Sequence, residues 1–364
     1  MFNILNDIVN VLKKIESGGF KAYVVGGFVR DFYRNKENFD VDICTSAKPN
    51  DLKNIFNNIS IEKYGSVVVN YNNINFEITT FRREKKYLDN RHPTKIKYVK
   101  KLKTDLKRRD FTINSICLNS DLNYIDYLGG RDDINKKIIR MIGNPKKRLK
   151  EDSLRILRAI RFATTLDFEL EENLKKSIKK YGYLLNNLSF FYKKKELEKI
   201  FFSSNIKKGL ELILKFKIDV PLKLKNVNRL VITKSIIGIW SQLDVVDIYP
   251  FTKEEKNLIK AIRNLDEKDL FDSNILYNNE LITLKIAAEI RKIDVNLVEE
   301  KYNQLKIHNR RDILISFSDI ASLLNCSDQL KVNDVINDIE HLILMNKLEN
   351  NKQILTNYIL KKYS

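Results

Sequence analysis

Apolar positions recur along this chain with two different periods. Up to about residue 135, strand-like runs (AYVVGG, VDICTS, SVVVNY, NFEITTFR, SICLNS, YIDYLGG) mix with helical stretches such as Pro49 to Ile59. From about residue 136 onward glycine and proline thin out, and Leu, Ile and Phe fall at helical spacing among Lys and Glu, as in LRILRAIRF and ELEKIFF. The pattern predicts an α+β unit followed by an almost entirely helical remainder. The first twenty residues read as an amphipathic helix and lack the basic start and continuous apolar segment of a signal peptide. Thr252 and Glu255, just after Pro250, have the spacing of a capping box and mark a fresh helix start. No fixed-period repeat of the solenoid kind is found.

Length and charge narrow the class. At 364 residues the chain exceeds the usual single-domain size, so two or more packed domains are expected. Lys and Arg number 66 against 47 Asp and Glu, and the resulting +19 favours polyanions such as nucleic acid. No apolar run approaches the ~20 residues of a membrane span, so no membrane is expected as a partner. Cys44, Cys117 and Cys326 lack the paired spacings of zinc sites or disulfide frameworks and fit buried thiols in a reducing cytoplasm. No protein partner is implied.

The candidate chemistry sits in the first half. In YVVGGFVRD, Gly26 and Gly27 lie between an apolar strand and a predicted helix, where exposed N–H groups suit a triphosphate and Arg30 a charged clamp. Taken alone, two glycines there are more often a tight turn. Thirteen residues later, FDVDICTS places Asp40 and Asp42 two apart in a predicted strand, on one face. Strands disfavour Asp and like charges repel, so the pair fits a bound divalent cation. Mg²⁺ combines one or two carboxylates with substrate phosphates, and two such ions serve in-line displacement, so the implied reaction class is two-metal nucleotidyl transfer. Glu77, on another strand, reads equally as a third carboxylate or as an exposed strand residue.

Further along, EDSLRILRAIRFA reads as a helix burying Leu154, Leu157 and Ile160 and presenting Asp152, Arg155 and Arg158 on another face. Its bland reading is a solvated intrahelical pair worth ~0.2–0.5 kcal/mol. Arg108, Arg109 and Asp110 read blandly as a surface cap and pair. His92 is treated as structural, and His308 and His341 have no metal spacing. Gly129 and Gly130 mark a turn before a helix.

Five segments in unbroken order over roughly residues 20–170 carry a family resemblance: GGFVRD, FDVDICTSAKP, FEITTFR, RRDFTINS and EDSLRILRAIRFA. Together they resemble the class II tRNA nucleotidyltransferases, which comprise CCA-adding enzymes and bacterial poly(A) polymerases. The resemblance implies a polymerase-beta-like catalytic head with a mixed β-sheet over residues 1–135, a base-reading helical neck over 136–205, and an RNA-binding helical body and tail over 206–364. It places Arg109, Asp110 and Asn114 in the segment that binds the ribose. Asp152 and Arg155 become the protein template for the incoming base, with Arg158 and Arg161 facing the nucleotide pocket. Asp accepts from the exocyclic amino group that C and A share, and Arg donates to ring or carbonyl acceptors. The polar stretch after Phe81, with Arg82 and Glu84, resembles the family's mobile loop at full length.

The implied activity is addition of CCA to the tRNA 3′ end from CTP and ATP with Mg²⁺, in the cytoplasm. A-adding or poly(A) activity is the nearest alternative. A non-catalytic RNA-binding protein is the alternative of a different class, and the Asp40/Asp42 pair argues against it. LSFFYKKKELEKIF departs from a family segment richer in Glu and Arg, and beyond residue 200 the resemblance fades. The basic helical half suits a tRNA acceptor arm, held through shape and phosphate contacts.

Overall fold

The structure, a computed structural model, describes residues 2–57, 59–62, 65–87, 91 and 93–363. His92 lies outside them. The chain divides into two compact units, Met1–Leu224 and Lys225–Ser364. The head and neck expected from the sequence both fall within the first.

The first unit opens with α1 (Phe2–Ser17), whose Ile4, Ile8, Val11, Leu12 and Ile15 form one buried stripe at helical spacing. Then come β1 (Ala22–Val25), α2 (Gly27–Tyr33), β2 (Val41–Thr45) and α3 (Pro49–Ile55). The chain continues through β3 (Ile59–Ile61), β4 (Ser66–Tyr71), β5 (Ile74–Thr80), β6 (Arg82–Tyr87), β7 (Pro93–Tyr98) and α4 (Leu102–Leu106). After a 3₁₀ turn over Thr112–Asn114, β8 (Cys117–Leu118), β9 (Tyr124–Ile125) and α5 (Gly130–Asn135) complete the α+β part.

Seven strands form one mixed sheet in the order β3-β4-β5-β2-β1-β8-β9, with β2 and β5 parallel and the other neighbours antiparallel. All six strand-like runs of the sequence are strands here. Alternation sets the faces: in β5, Phe76, Ile78 and Thr80 are buried while Glu77 is exposed. Val25, Cys44, Cys117 and Phe81 pack with Leu102 and Leu106 of α4, which leads the chain over the sheet into Arg108–Asp110. Gly130 starts α5 hard against the 3₁₀ turn; a Cβ there would fall 2.3 Å from the Thr112 carbonyl oxygen. The helix packs against the 3₁₀ turn that carries Asn114.

Two expectations about the strands change. Asp40 precedes β2 and only Asp42 lies in the strand. The stretch after Phe81, expected as a loop, folds as an antiparallel ribbon with Arg82 opposite Tyr98 and Glu84 opposite Ile96. Alternation in TKIKYVK was its signal. The remainder of the first unit is almost entirely helical, as expected, with one two-residue parallel pairing of Ile138–Ile139 with Glu169–Leu170.

Its helices include α6 (Pro145–Glu151), α7 (Leu154–Thr165), α8 (Glu172–Tyr181), α9 (Phe190–Phe201) and α10 (Ile206–Lys215). Leu154, Leu157 and Ile160 are buried as expected. Asp152 is not inside the helix: it caps the end of α6, with φ −142° and ψ 101°, and the chain restarts at α7. α7 packs along α9.

The second unit contains helices and no strand among its described residues. Its Lys253–Arg263 helix begins with the capping box expected from the sequence: the Thr252 hydroxyl accepts from the Glu255 N–H and the Glu255 carboxylate from the Thr252 N–H. Among the described residues no helix is long and apolar enough to cross a membrane. The three cysteines are free; Cys44 and Cys117 are buried, and Cys326, expected to be buried, is partly exposed.

Candidate active site

A cavity of about 610 Å³ in the first unit is lined by Gly26, Gly27, Arg30, Asp40, Asp42, Arg82, Glu84, Arg109, Asp110, Asn114, Asp152, Arg155, Arg158 and Arg161. Of the candidate residues, only Glu77 is absent from its wall.

The sheet supplies the carboxylates. Asp42 pairs in register with Val25 on one side and Glu77 on the other, so both carboxylates face the same way. Burial pushes the Asp42 pKa up to about 6; Arg109 opposes the shift, and Glu77 and Asp40 reinforce it. Glu77 is exposed beside the cavity, so the two readings of this residue meet: it shares the face of Asp42 yet points to solvent. Among the described residues no group of three His, Cys, Asp or Glu side chains forms a metal cage.

The turn between β1 and α2 is shaped by that pair. Gly26 has φ +86° and ψ −143°, a conformation that side chains rarely adopt, and a Cβ there would sit 2.9 Å from Asp42 Oδ2. Arg30 is not a free clamp. It donates to Asp31 through Nε and Nη2 at 2.9 and 2.7 Å, and to Asn114 Oδ1 at 2.8 Å. Asp31 also accepts from Asn38 Nδ2 at 2.8 Å.

Arg109 and Asp110 follow α4 onto the cavity floor, not onto the open surface. Despite burial, the Arg109 charge is reinforced by Asp105, and beyond it by Asp42. Asp110 receives Arg158 Nε and Nη2 on one oxygen at 2.8 and 2.5 Å, while its other oxygen accepts from Asn114 at 3.2 Å and the Phe111 N–H at 2.7 Å. Burial would raise its pKa, yet Arg158 and these donors hold it well below the usual carboxylate range.

Asp152 and Arg155 are both buried, so the solvated-pair reading fails. Their side chains approach to 3.9 Å, and Arg91 reaches Asp152 Oδ2 at 3.0 Å. Burial raises the Asp152 pKa against the pull of Arg91 and Arg155. Arg155 is aimed by two carbonyls, donating to Arg148 O at 3.1 Å and Arg108 O at 3.2 Å. Arg161, for which surface solvation stood open, is half-buried; it pairs with Glu196 at 2.9 Å and lies 4.1 Å over the Phe162 ring. At the cavity edge, Arg82 binds Glu84 at 2.8 Å, and Glu84 also takes Arg108 and the Tyr87 hydroxyl.

Residues 22–140 match the model of the poly A polymerase head domain. A CCA-adding enzyme of Pediococcus pentosaceus is 33% identical over 386 aligned residues, spanning 96% of each chain. This chain belongs to the CCA-adding enzymes. The family member of Bacillus cytotoxicus is 30% identical, with 96% of each chain covered. The fold extends to a crystal structure of the Bacillus stearothermophilus CCA-adding enzyme in complex with CTP: TM-score 0.83 at 23% identity, covering 99% of this chain and 97% of that one. Members of this nucleotidyltransferase family use a divalent metal ion.

Against that family background, the structure adds residues the sequence did not single out. Asn38 and Asp31 fix Arg30; Asp105 anchors Arg108 and Arg109; Glu196 holds Arg161. Glu196 stands in KKKELEK, where acids among lysines read as a solvated face. Only the packing of α9 on α7 reveals it.

Proposed function

We propose that this chain completes tRNA by adding C, C and A to its 3′ end from CTP and ATP, with magnesium and without a nucleic-acid template, in the cytoplasm. The observation that carries this reading is the convergence of a carboxylate pair, the ribose segment and the Asp152/Arg155 pair on one cavity.

Mg²⁺ suits the donor set, since it takes one or two carboxylates and completes its shell with water and substrate phosphates, needing no protein cage. Asp40 and Asp42 would hold two such ions, which when bound would supply acidification of the RNA 3′-hydroxyl and neutralisation of charge on the departing pyrophosphate. Asp110 accepts the ribose 2′-hydroxyl and so favours ribonucleotides. Asp152 accepts from the exocyclic amino group of C or A and Arg155 donates to the ring acceptors, whereas U and G present the wrong edges. Arg30, Arg158 and Arg161 ring Phe162 within 5.4 Å of its centroid and set cationic charge beside the triphosphate.

The deciding experiment gives purified protein a tRNA that lacks its last three nucleotides, with CTP and ATP together and singly. Ordered C, C, A addition is expected. Incorporation of A alone, or growth of long A tails, would instead identify an A-adding enzyme or poly(A) polymerase.

A further inference from the structure

Arg148, on α6, is absent from the cavity wall yet touches both halves of the proposed nucleotide-reading apparatus. Its Nη2 donates to the carbonyl oxygens of Arg108 and of Arg109, the latter at 2.9 Å, immediately before Asp110. Its own carbonyl accepts from the Asp152 N–H at 3.1 Å and from Arg155 Nη1 at 3.1 Å. Arg155 Nη2 closes the loop at 3.2 Å to the same Arg108 carbonyl. One residue therefore bonds the ribose segment through its side chain and both base readers through its backbone.

We infer that Arg148 is a positioning residue that sets sugar choice and base choice together, by fixing Asp110 relative to Asp152 and Arg155. The inference rests on the proposed function. A guanidinium is suited to the task because its fixed planar fork donates in several directions at once. The arrangement is costly for a mere tether. The side chain is largely buried, and burial and the neighbouring Arg155 both push its pKa down; Glu151 at 2.5 Å is its carboxylate partner. On its opposite edge the 108–112 segment is held through Ile142 N–H to Asp110 O at 2.9 Å, Thr112 N–H to Arg140 O at 3.0 Å and the Thr112 hydroxyl to Asp133 Oδ2 at 2.6 Å. Without the Arg148 fork the Arg108 and Arg109 carbonyls lose their bonds on this edge, and the segment shifts Asp110 relative to Asp152 and Arg155 within the play left by Asp105 and Arg158.

The test compares Arg148→Met, which keeps length without donors, and Arg148→Lys, which keeps charge without the fork. Steady-state kcat/KM is measured for CTP, dCTP and UTP on tRNA lacking CCA, beside tRNA affinity and thermal unfolding. In Arg148→Met the CTP/dCTP and CTP/UTP preferences should both fall about tenfold, with tRNA affinity unchanged and partial recovery in Arg148→Lys. A merely structural residue would lower kcat/KM equally for all three nucleotides and leave both ratios intact. That result, or movement of one ratio without the other, overturns the inference. Should Arg148→Met fail to fold, unchanged ratios in Arg148→Lys overturn it equally. Failure of the proposed function is told apart because it shows in the unmutated protein, which would then add A alone or long A tails to tRNA lacking CCA instead of C, C and A.

Discussion

Gly26→Ala separates strain from misplacement within a single substitution. The position has φ +86° and ψ −143°, so an alanine there carries backbone strain of about 1–3 kcal/mol. For a unit of this size that corresponds to a melting temperature lower by roughly 2–10 °C. The larger effect is local. The new Cβ would lie 2.9 Å from Asp42 Oδ2, and relief to ordinary contact near 3.4 Å moves the carboxylate by about 0.5 Å. Displacement on that scale exceeds what a catalytic constellation tolerates, and misplacement of about 1 Å costs on the order of 10²-fold in rate. The assay is single-turnover addition of one C to tRNA lacking CCA, with a thermal melt on the same sample. The expected result is a fall of about 10- to 100-fold in rate, in protein still folded at the assay temperature. Activity within threefold of wild type would show that Asp42 does not need its present position, and would refute the reasoning.

The other predictions are briefer. Asp42→Asn removes charge but little volume, and transfer should fall roughly 10³-fold or more while tRNA affinity stays close to wild type; unchanged activity contradicts the metal assignment. Arg155→Ala should relax the choice of C over U by about 10- to 100-fold, the worth of one good hydrogen-bonding pair, and unaltered selectivity removes Arg155 from the base-reading role. Lys193 is fully buried, donates to Pro221 O at 3.1 Å and lies 4.0 Å over the Phe190 ring, and burial together with Lys223 pushes its pKa down to about 8. Between that value and the unfolded value of 10.5 the unfolded chain binds a proton the folded chain does not, so this group's penalty is full below pH 8 and disappears as pH rises past 10.5. Denaturant unfolding of wild type and Lys193→Met should therefore show the variant's relative stability declining by about 1–3 kcal/mol between pH 7 and pH 10.5, and a constant gap refutes it.

Where the sequence carried a periodic signal, the fold was legible in advance. Alternation marked the strands, helical spacing marked α1 and α7, and Thr252 with Glu255 marked a helix start. What failed depended on contacts distant in the chain. Asp152 lies within a sequence that reads as continuous helix, and the break is its extended backbone (φ −142°, ψ 101°), with Arg91 reaching its carboxylate from 61 residues earlier. Asp40 falls outside β2 because pairing with β1 and β5 begins no earlier than Val41. The candidate residues other than Glu77 came together on one cavity, but their partners were hidden: Asp105 reads as an acid in a lysine-rich helix, and Asp31 as the next residue after Arg30. In the second unit, periodicity reveals helices but not which lysines meet RNA, because a basic helical face has the same pattern whether it binds phosphate or water.

The pairing within the cavity explains how so many cations are held in a small volume. Arg30 is bound to Asp31, Arg91 to Asp152, Arg158 to Asp110 and Arg161 to Glu196. Partly buried charges of one sign would otherwise lower one another's pKa, as burial and the nearby Arg158 do to Arg161, brought down to about 10. Two of these carboxylates, Asp110 and Asp152, are also the proposed acceptors for sugar and base. Under the proposed function, nucleotide binding is therefore an exchange of partners: phosphate replaces carboxylate on the arginines, and the released carboxylate oxygens meet the 2′-hydroxyl and the exocyclic amine. Exchange avoids leaving a buried charge unpaired, the outcome that costs most when an ion pair is broken. A nucleotide with the wrong sugar or base edge brings the phosphates but cannot satisfy the carboxylates they free, so recognition is coupled to binding of the triphosphate that every nucleotide shares.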